Sequence, residues 1–192
     1  MKYVIFDTET GGLDPATDAL ISLGACVWDS EKGRLPEPEF HSLVNDHPGR
    51  LDPGALKVNG FTEAHIRESG LGPALVWQEF VRFCQGVFGR DQVLLGGHNT
   101  GFDVGYLKRL ARITGNAARY EAIFSHRTVC TMNTVRYLCL AGRLRAGMGG
   151  LLQVVEELGI EKQAAHHALG DARMAADLLT RLVDLVKMPE AA

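Results

Sequence analysis

Asp7 and Glu9 stand two residues apart where the apolar, β-prone run from Tyr3 to Phe6 ends. Side chains alternate along a strand, so this spacing puts both acids on one face. Two anions held about 5–7 Å apart repel unless one is protonated or a cation lies between them. Gly11-Gly12 follow at once and let the backbone turn sharply beside a ligand. Taken alone, the pair reads equally as solvated acids at a strand end. Asp103, in the first turn of an expected helix, is placed where the helix dipole favours an anion, and alone it is an ordinary helix-start acid. Asp171 is less ordinary, because it lies on the small-residue face of an apolar helix (Ala168, Leu169, Ala172, Ala175, Ala176, Leu178, Leu179) and needs a partner near the sheet. Four carboxylates at one sheet edge form an all-oxygen site suited to hard cations such as Mg²⁺ or Mn²⁺. Two such ions clamp the attacking and leaving oxygens of a phosphodiester. Water still needs a base. His166 and His167 precede Asp171 on the approach to its helix, and an imidazole with a pKa of about 6.5 suits proton abstraction near neutrality.

The elements that must bring these residues together follow from pattern. After the Gly-Gly turn, Ala19 to Trp28 predicts a second strand, and Glu39 to Val44 a third across the polar turn at 29–33. Short turns make these an antiparallel meander with the first strand. Asp52-Pro53 starts a short helix that ends at Asn59-Gly60, and Thr62 caps another through Arg67. Pro73 to Phe88 is a long helix with the stripe Val76, Phe80, Phe83, Val87. Val93 to Leu95 makes a fourth strand, followed by a helix to Ile113 carrying Asp103. Arg127 to Cys130 makes a fifth strand, with Thr131 as cap of a helix to about Leu140. The glycine-rich, basic stretch from Arg143 to Gly150 reads as a mobile loop. A helix from Leu151 closes at Leu158-Gly159-Ile160 with a glycine C-cap, and the last helix runs from about His167 to Val186. The fold expected is α/β: a mixed five-stranded sheet, an antiparallel meander plus two parallel strands, flanked by helices. Ligands bind such sheets at the carboxyl end of the middle strand, where Asp7 and Glu9 fall.

The 192 residues and 46% apolar content suit one domain over residues 1–188, with 189–192 a short tail. Twenty basic against 23 acidic side chains leave a net charge of −3, so a polyanion cannot be held by overall charge; it needs a local basic patch or metal ions. Lys108, Arg109 and Arg112 on one helix, with Arg143 and Arg145 in the glycine-rich loop, are candidates for guiding a phosphate backbone, and equally a solvated surface. The four cysteines form no C-x-x-C pair, which argues against zinc or a disulfide framework. Neither a signal peptide nor an apolar run of about eighteen residues is visible, so a cytoplasmic protein with no membrane contact is expected.

Together the segments resemble a known family. Asp7-Thr8-Glu9-Thr10-Gly11-Gly12-Leu13 is similar to the first motif (D-x-E-T-x-G) of the DEDDh 3′→5′ exonucleases, His98-Asn99-Thr100-Gly101-Phe102-Asp103 to the second (H-N-x-x-F-D), and the spacing from His166 to Asp171 to the third. The resemblance extends from Met1 to about Leu182. It implies an RNase H-like fold, two divalent cations (Mg²⁺ or Mn²⁺) on Asp7, Glu9, Asp103 and Asp171, and His166 as general base, with His167 only its neighbour. It implies that Thr10, Leu13, Asn99 and Phe102 line a pocket for the terminal nucleotide. Asn59 falls where many relatives have histidine, in a loop against that nucleotide. The activity implied is release of 5′-mononucleotides from a free 3′ end. The first motif is nearer to the proofreading branch than to oligoribonuclease, which favours single-stranded DNA as substrate, with a 3′→5′ exoribonuclease trimming RNA or short oligoribonucleotides as the alternative. No tail resembling a polymerase-binding segment is seen, so a free-standing enzyme is expected, and since some relatives dimerise a homodimer is allowed.

Two other readings compete. Haloacid dehalogenase-type phosphatases also end their first strand with an acid pair, but that reading leaves His98 to Asp103 and the His166–Asp171 spacing without a role. A non-catalytic nucleic-acid-binding module would not need all five catalytic positions filled.

Overall fold

The computed structural model describes residues 1–47, 49–163 and 167–187. The expected tail at 189–192 lies outside them. Five strands form one sheet in the order β3-β2-β1-β4-β5: β1 Lys2–Thr10, β2 Leu20–Asp29, β3 Gly33–Leu43, β4 Val93–Gly97 and β5 Phe124–Cys130. β1 pairs antiparallel with β2 and β2 with β3, while β1, β4 and β5 run parallel. This is the RNase H-like arrangement of a meander joined to parallel strands. β3 begins six residues before the expected Glu39, in spite of Pro36 and Pro38. It is an edge strand, where prolines are tolerated because one side of the backbone needs no ladder partner.

The alternation of β1 sorts its residues between two layers. Val4 and Phe6 join a core with α3 (Pro73–Phe88) and α4 (Thr100–Ile113), whereas Ile5 points to the other face. There it meets Ala172, Ala175, Ala176 and Leu179 of α8 (Ala168–Val186), with Cys26 and Trp28 from β2. Small residues on that stripe let the helix lie close to the sheet. Leu178 and Leu182 on its outer side bury against α6 (Thr131–Leu140) and α7 (Leu151–Glu157). The buried stripe of α3 is Val76, Trp77, Phe80, Val81 and Cys84, rotated toward Trp77 from the expected one.

Local signals explain most boundaries. Asp52 accepts from Gly54 N and Ala55 N at the start of α1 (Pro53–Asn59), which ends at Gly60 with φ 72°. Thr62 accepts from His65 N at the start of α2 (Glu63–Ser69). After α7, Gly159 has φ 64° and Ile160 N donates to Val155 O at 2.9 Å, the expected left-handed cap. Thr131 does not cap α6. The cap position is Cys130, and the Thr131 hydroxyl donates to Gly97 O at 3.2 Å, where it fastens the end of β4. One helix, α5 (Ala117–Ile123), was not expected.

Candidate metal centre

β1 continues past Ile5 on the α8 face to Asp7 and then Glu9, and α8 supplies Asp171 from its first turn. Oxygens of Asp7, Glu9 and Asp171 all lie within 4.8 Å of one another. Three carboxylates at that separation can coordinate a divalent metal ion. The close approach depends on β2. Asp7 pairs with Gly24, and Gly24 pairs with His41 of β3, so the three form a row across the sheet on one face. A Cβ at Gly24 would lie 2.1 Å from Leu169 N and 2.3 Å from Ala168 C. The first turn of α8 therefore sits where a side chain would otherwise be. Beyond it, the His167 ring stacks on His41 with centroids 4.5 Å apart, turned toward the β3 edge. His166, the expected base, lies outside the described residues.

Asp103 reaches the same end of β1 from α4. It is only 2% exposed, and its Oδ1 accepts from both Thr8 N at 3.0 Å and Thr8 Oγ1 at 2.7 Å. It is not one of the three-carboxylate group, yet it is close enough to act on it electrostatically. Burial pushes the Asp7 carboxyl well above its ordinary range, and Asp103, Asp171 and Glu9 push it further. Burial, then Asp171 and Asp103, raise Glu9 from 4.5 to about 7. Asp103 is raised to about 7 by burial, against the Thr8 hydrogen bonds that lower it.

These shifts have a sign. Between pH 4.5 and about 7 the folded protein holds a proton on Glu9 that the unfolded chain has released, so stability falls as pH rises through that window. Metal-free protein melted in EDTA should lose midpoint from pH 5 to pH 8, and Mn²⁺ should restore it at the upper end. At a hundredfold excess over its dissociation constant, a bound ion contributes about 2.7 kcal/mol. A midpoint that rises steadily with pH in EDTA would contradict the electrostatics.

A groove of about 600 Å³ opens beyond Glu9, lined by Thr10, Leu13, Val58 and Asn59 among others. Leu13 is 85% exposed on its rim. The turn beneath is rigidly built: Thr10 Oγ1 and Tyr106 Oη both donate to Gly12 O, at 2.7 and 2.9 Å. A Cβ on Gly12 would fall 2.0 Å from Asp18 Oδ2, and Arg50 Nε holds that carboxylate from its other oxygen at 2.6 Å. Asn59 Nδ2 donates to Thr10 O at 2.9 Å, which ties α1 to the end of β1. Asn99 and Phe102 are not among the residues lining this groove. Asn99 is an exposed cap residue with φ 65°, and Phe102 packs half-buried against Tyr106 with ring centroids 5.1 Å apart.

Of the candidate phosphate-guiding cations, Arg109 is withdrawn into the core. It is 6% exposed and pairs with buried Asp46 at 2.7 Å. Its guanidinium also donates to Ala16 O at 3.0 Å and so pins the β1–β2 loop to α4. Lys108, Arg112, Arg143 and Arg145 remain on the surface. The glycine-rich loop is anchored: Met148 is buried, and the His98 ring bridges Thr131 Oγ1 at 2.9 Å and Gly149 O at 2.7 Å. Gly24, His41 and this use of His98 were not foreseen. A glycine in the middle of the β2 strand was the one available signal.

Residues 4–179 match the RNase T exonuclease family. A DNA polymerase III PolC-type protein of Streptococcus agalactiae is 38% identical over 106 residues, 55% of this chain and 6% of the relative. A DNA polymerase III subunit epsilon-like protein of Rhodobacter capsulatus is 32% identical over 193 residues, 97% of this chain and 24% of the relative. The fold superposes on E. coli exonuclease I, solved in complex with a 5cy-dA13 oligonucleotide, with a TM-score of 0.72 at 18% identity, covering 95% of this chain and 40% of that one. The chain thus spans well under half the length of each of these proteins. Among the described residues, no helix is long and apolar enough to cross a membrane.

Proposed function

Since the chain belongs to the RNase T exonuclease family, we propose that it hydrolyses single-stranded DNA from a free 3′ end and releases 5′-mononucleotides. The observation that carries this reading is the convergence of oxygens of Asp7, Glu9 and Asp171 within 4.8 Å, at the end of the strand whose next residue, Thr10, lines the groove. Those three carboxylates, with Asp103 oriented by Thr8, are the residues to hold two Mg²⁺ or Mn²⁺ ions. When bound, the ions polarise the phosphodiester and stabilise its attacking and leaving oxygens. The chain's own residues do the rest. His166 takes the proton from the attacking water. Leu13 packs against the terminal base, a contact that tolerates any sequence because every base has an apolar face. Asn59, by holding Thr10 O, keeps the two walls of the groove in register. Exposed Lys108, Arg112, Arg143 and Arg145 guide the backbone in spite of the acidic total. The oligonucleotide named with E. coli exonuclease I and the polymerase III relatives favour DNA.

The decisive experiment compares 3′-labelled linear single-stranded DNA, circular single-stranded DNA and RNA, with Mn²⁺ and with EDTA. Mononucleotides should appear from linear DNA only when metal is present. Cleavage of the circle at a comparable rate would sink the exonuclease reading, and faster release from RNA would replace the substrate.

A further inference from the structure

We infer that Gly24 is a positioning residue for the metal centre: the missing side chain sets how far α8 descends onto the sheet, and hence where Asp171 stands relative to Asp7 and Glu9. This rests on the reading that those three carboxylates bind a divalent cation. Gly24 itself touches neither metal nor nucleic acid and acts only through the helix.

The argument is geometric. Antiparallel partners project their side chains from the same face, so the Cβ direction of Gly24 is that of Asp7 beside it. What occupies that direction is backbone: Leu169 N at 2.1 Å, Ala168 C at 2.3 Å and Leu169 Cα at 2.5 Å from a built Cβ. Backbone of a helix cannot swing aside as a long side chain can. A methyl group there must lift the first turn by an ångström or more, since ordinary carbon contacts begin near 3.5 Å. Asp171 lies in that turn, hydrogen-bonded through its own N–H to His167 O at 3.0 Å, and moves with it. Lower down, α8 is held by contacts the change does not touch: Ala175, Ala176 and Leu179 against Ile5 and Trp28, and Trp28 Nε1 on Thr180 Oγ1 at 2.9 Å. The helix should therefore pivot at its N-terminal end and not detach. Gly24 has an ordinary backbone conformation, with no positive φ, so alanine is strained there only by the helix above it. The residue is thus not required by β2. It is required by what α8 must reach.

The test measures Mn²⁺ affinity, by calorimetry and by electron paramagnetic resonance of the free ion, on the parent, Gly24→Ala and Ala168→Val. Ala168 is the fully buried first residue of α8 and its carbonyl carbon forms part of the seat on Gly24, so Ala168→Val adds bulk beside that seat from the helix side and leaves the sheet sequence unchanged. Melting in EDTA and circular dichroism report folding separately. Both variants should melt cooperatively and bind Mn²⁺ at least tenfold more weakly, with the Mn²⁺-induced rise in midpoint reduced in step. A merely structural role would lower the midpoint in EDTA and leave the Mn²⁺ dissociation constant unchanged; affinity within twofold of the parent in both variants overturns the proposal. Should Gly24→Ala fail to fold, Ala168→Val decides by the same criterion. A parent that binds no Mn²⁺ at all refutes the metal-centre reading, a different failure from loss-free binding in the variants.

Discussion

His166→Ala slows single-turnover hydrolysis of a 3′-labelled oligonucleotide by about 10²–10⁴-fold, the usual cost of removing a general base. Mn²⁺ binding and single-stranded DNA binding should survive in that variant, because the carboxylates remain. His167→Ala should stay within a few-fold of the parent. Its ring stacks on His41 of β3, which lies on the far side of Gly24 from Asp7 in the row across the sheet. Asp7→Ala should lose both metal binding and rate. The comparison across pH 6 to 9 is informative because only the base variant should lose the limb of the rate profile that reports an imidazole. A dead His167→Ala beside an active His166→Ala would shift the third motif by one residue and overturn the assignment.

The second large effect is on stability. Asp46→Ala leaves the Arg109 guanidinium buried without its carboxylate and takes an acceptor from Leu20 N, which donates to Asp46 Oδ2 at 3.0 Å. Removing one member of a buried ion pair costs about 3–5 kcal/mol. Urea denaturation of metal-free protein should show a loss of that order. The double variant Asp46→Leu, Arg109→Met should recover part of it, because no uncompensated charge remains. A loss below about 1 kcal/mol for Asp46→Ala would mean that water reaches Arg109 and that the pair does not hold α4 against the segment after β3.

The same pair marks where reading the residues stops. On α4, Lys108, Arg109 and Arg112 look alike, and the position of the buried Asp46 after β3, with the loop at 14–18, decides that Arg109 turns inward while Arg112, which also donates to Ala16 O, stays exposed. That choice depends on contacts between residues 63 and 93 positions apart, which no local spacing encodes. Asp7 and Glu9 were legible for the opposite reason: strand alternation is local, and two acids at i and i+2 share a face wherever the strand goes. Caps were legible where the side chain serves its own helix, as at Asp52 and Thr62, and misread at Thr131, whose hydroxyl serves β4 instead. α5 escaped because seven residues with one buried side chain, Tyr120, make no visible period. Asp171 was suspected from its apolar neighbours, but its seat on Gly24 exists only once the register of β1 with β2 is known.

The His98 bridge fixes more than a loop. A backbone carbonyl can only accept, so the contact to Gly149 O requires the proton on Nε2 and leaves the lone pair of Nδ1 to share the single proton of the Thr131 hydroxyl with Gly97 O. Burial lowers the pKa of the ring, which keeps it neutral in that single tautomer near pH 7. Its two nitrogens should therefore give well-separated ¹⁵N resonances of the Nε2–H form, with no averaging between tautomers. Release of Gly149 would free both nitrogens to exchange and the ring to titrate as an ordinary imidazole. One histidine signal thus reports whether the glycine-rich loop is docked, without a label on the loop itself.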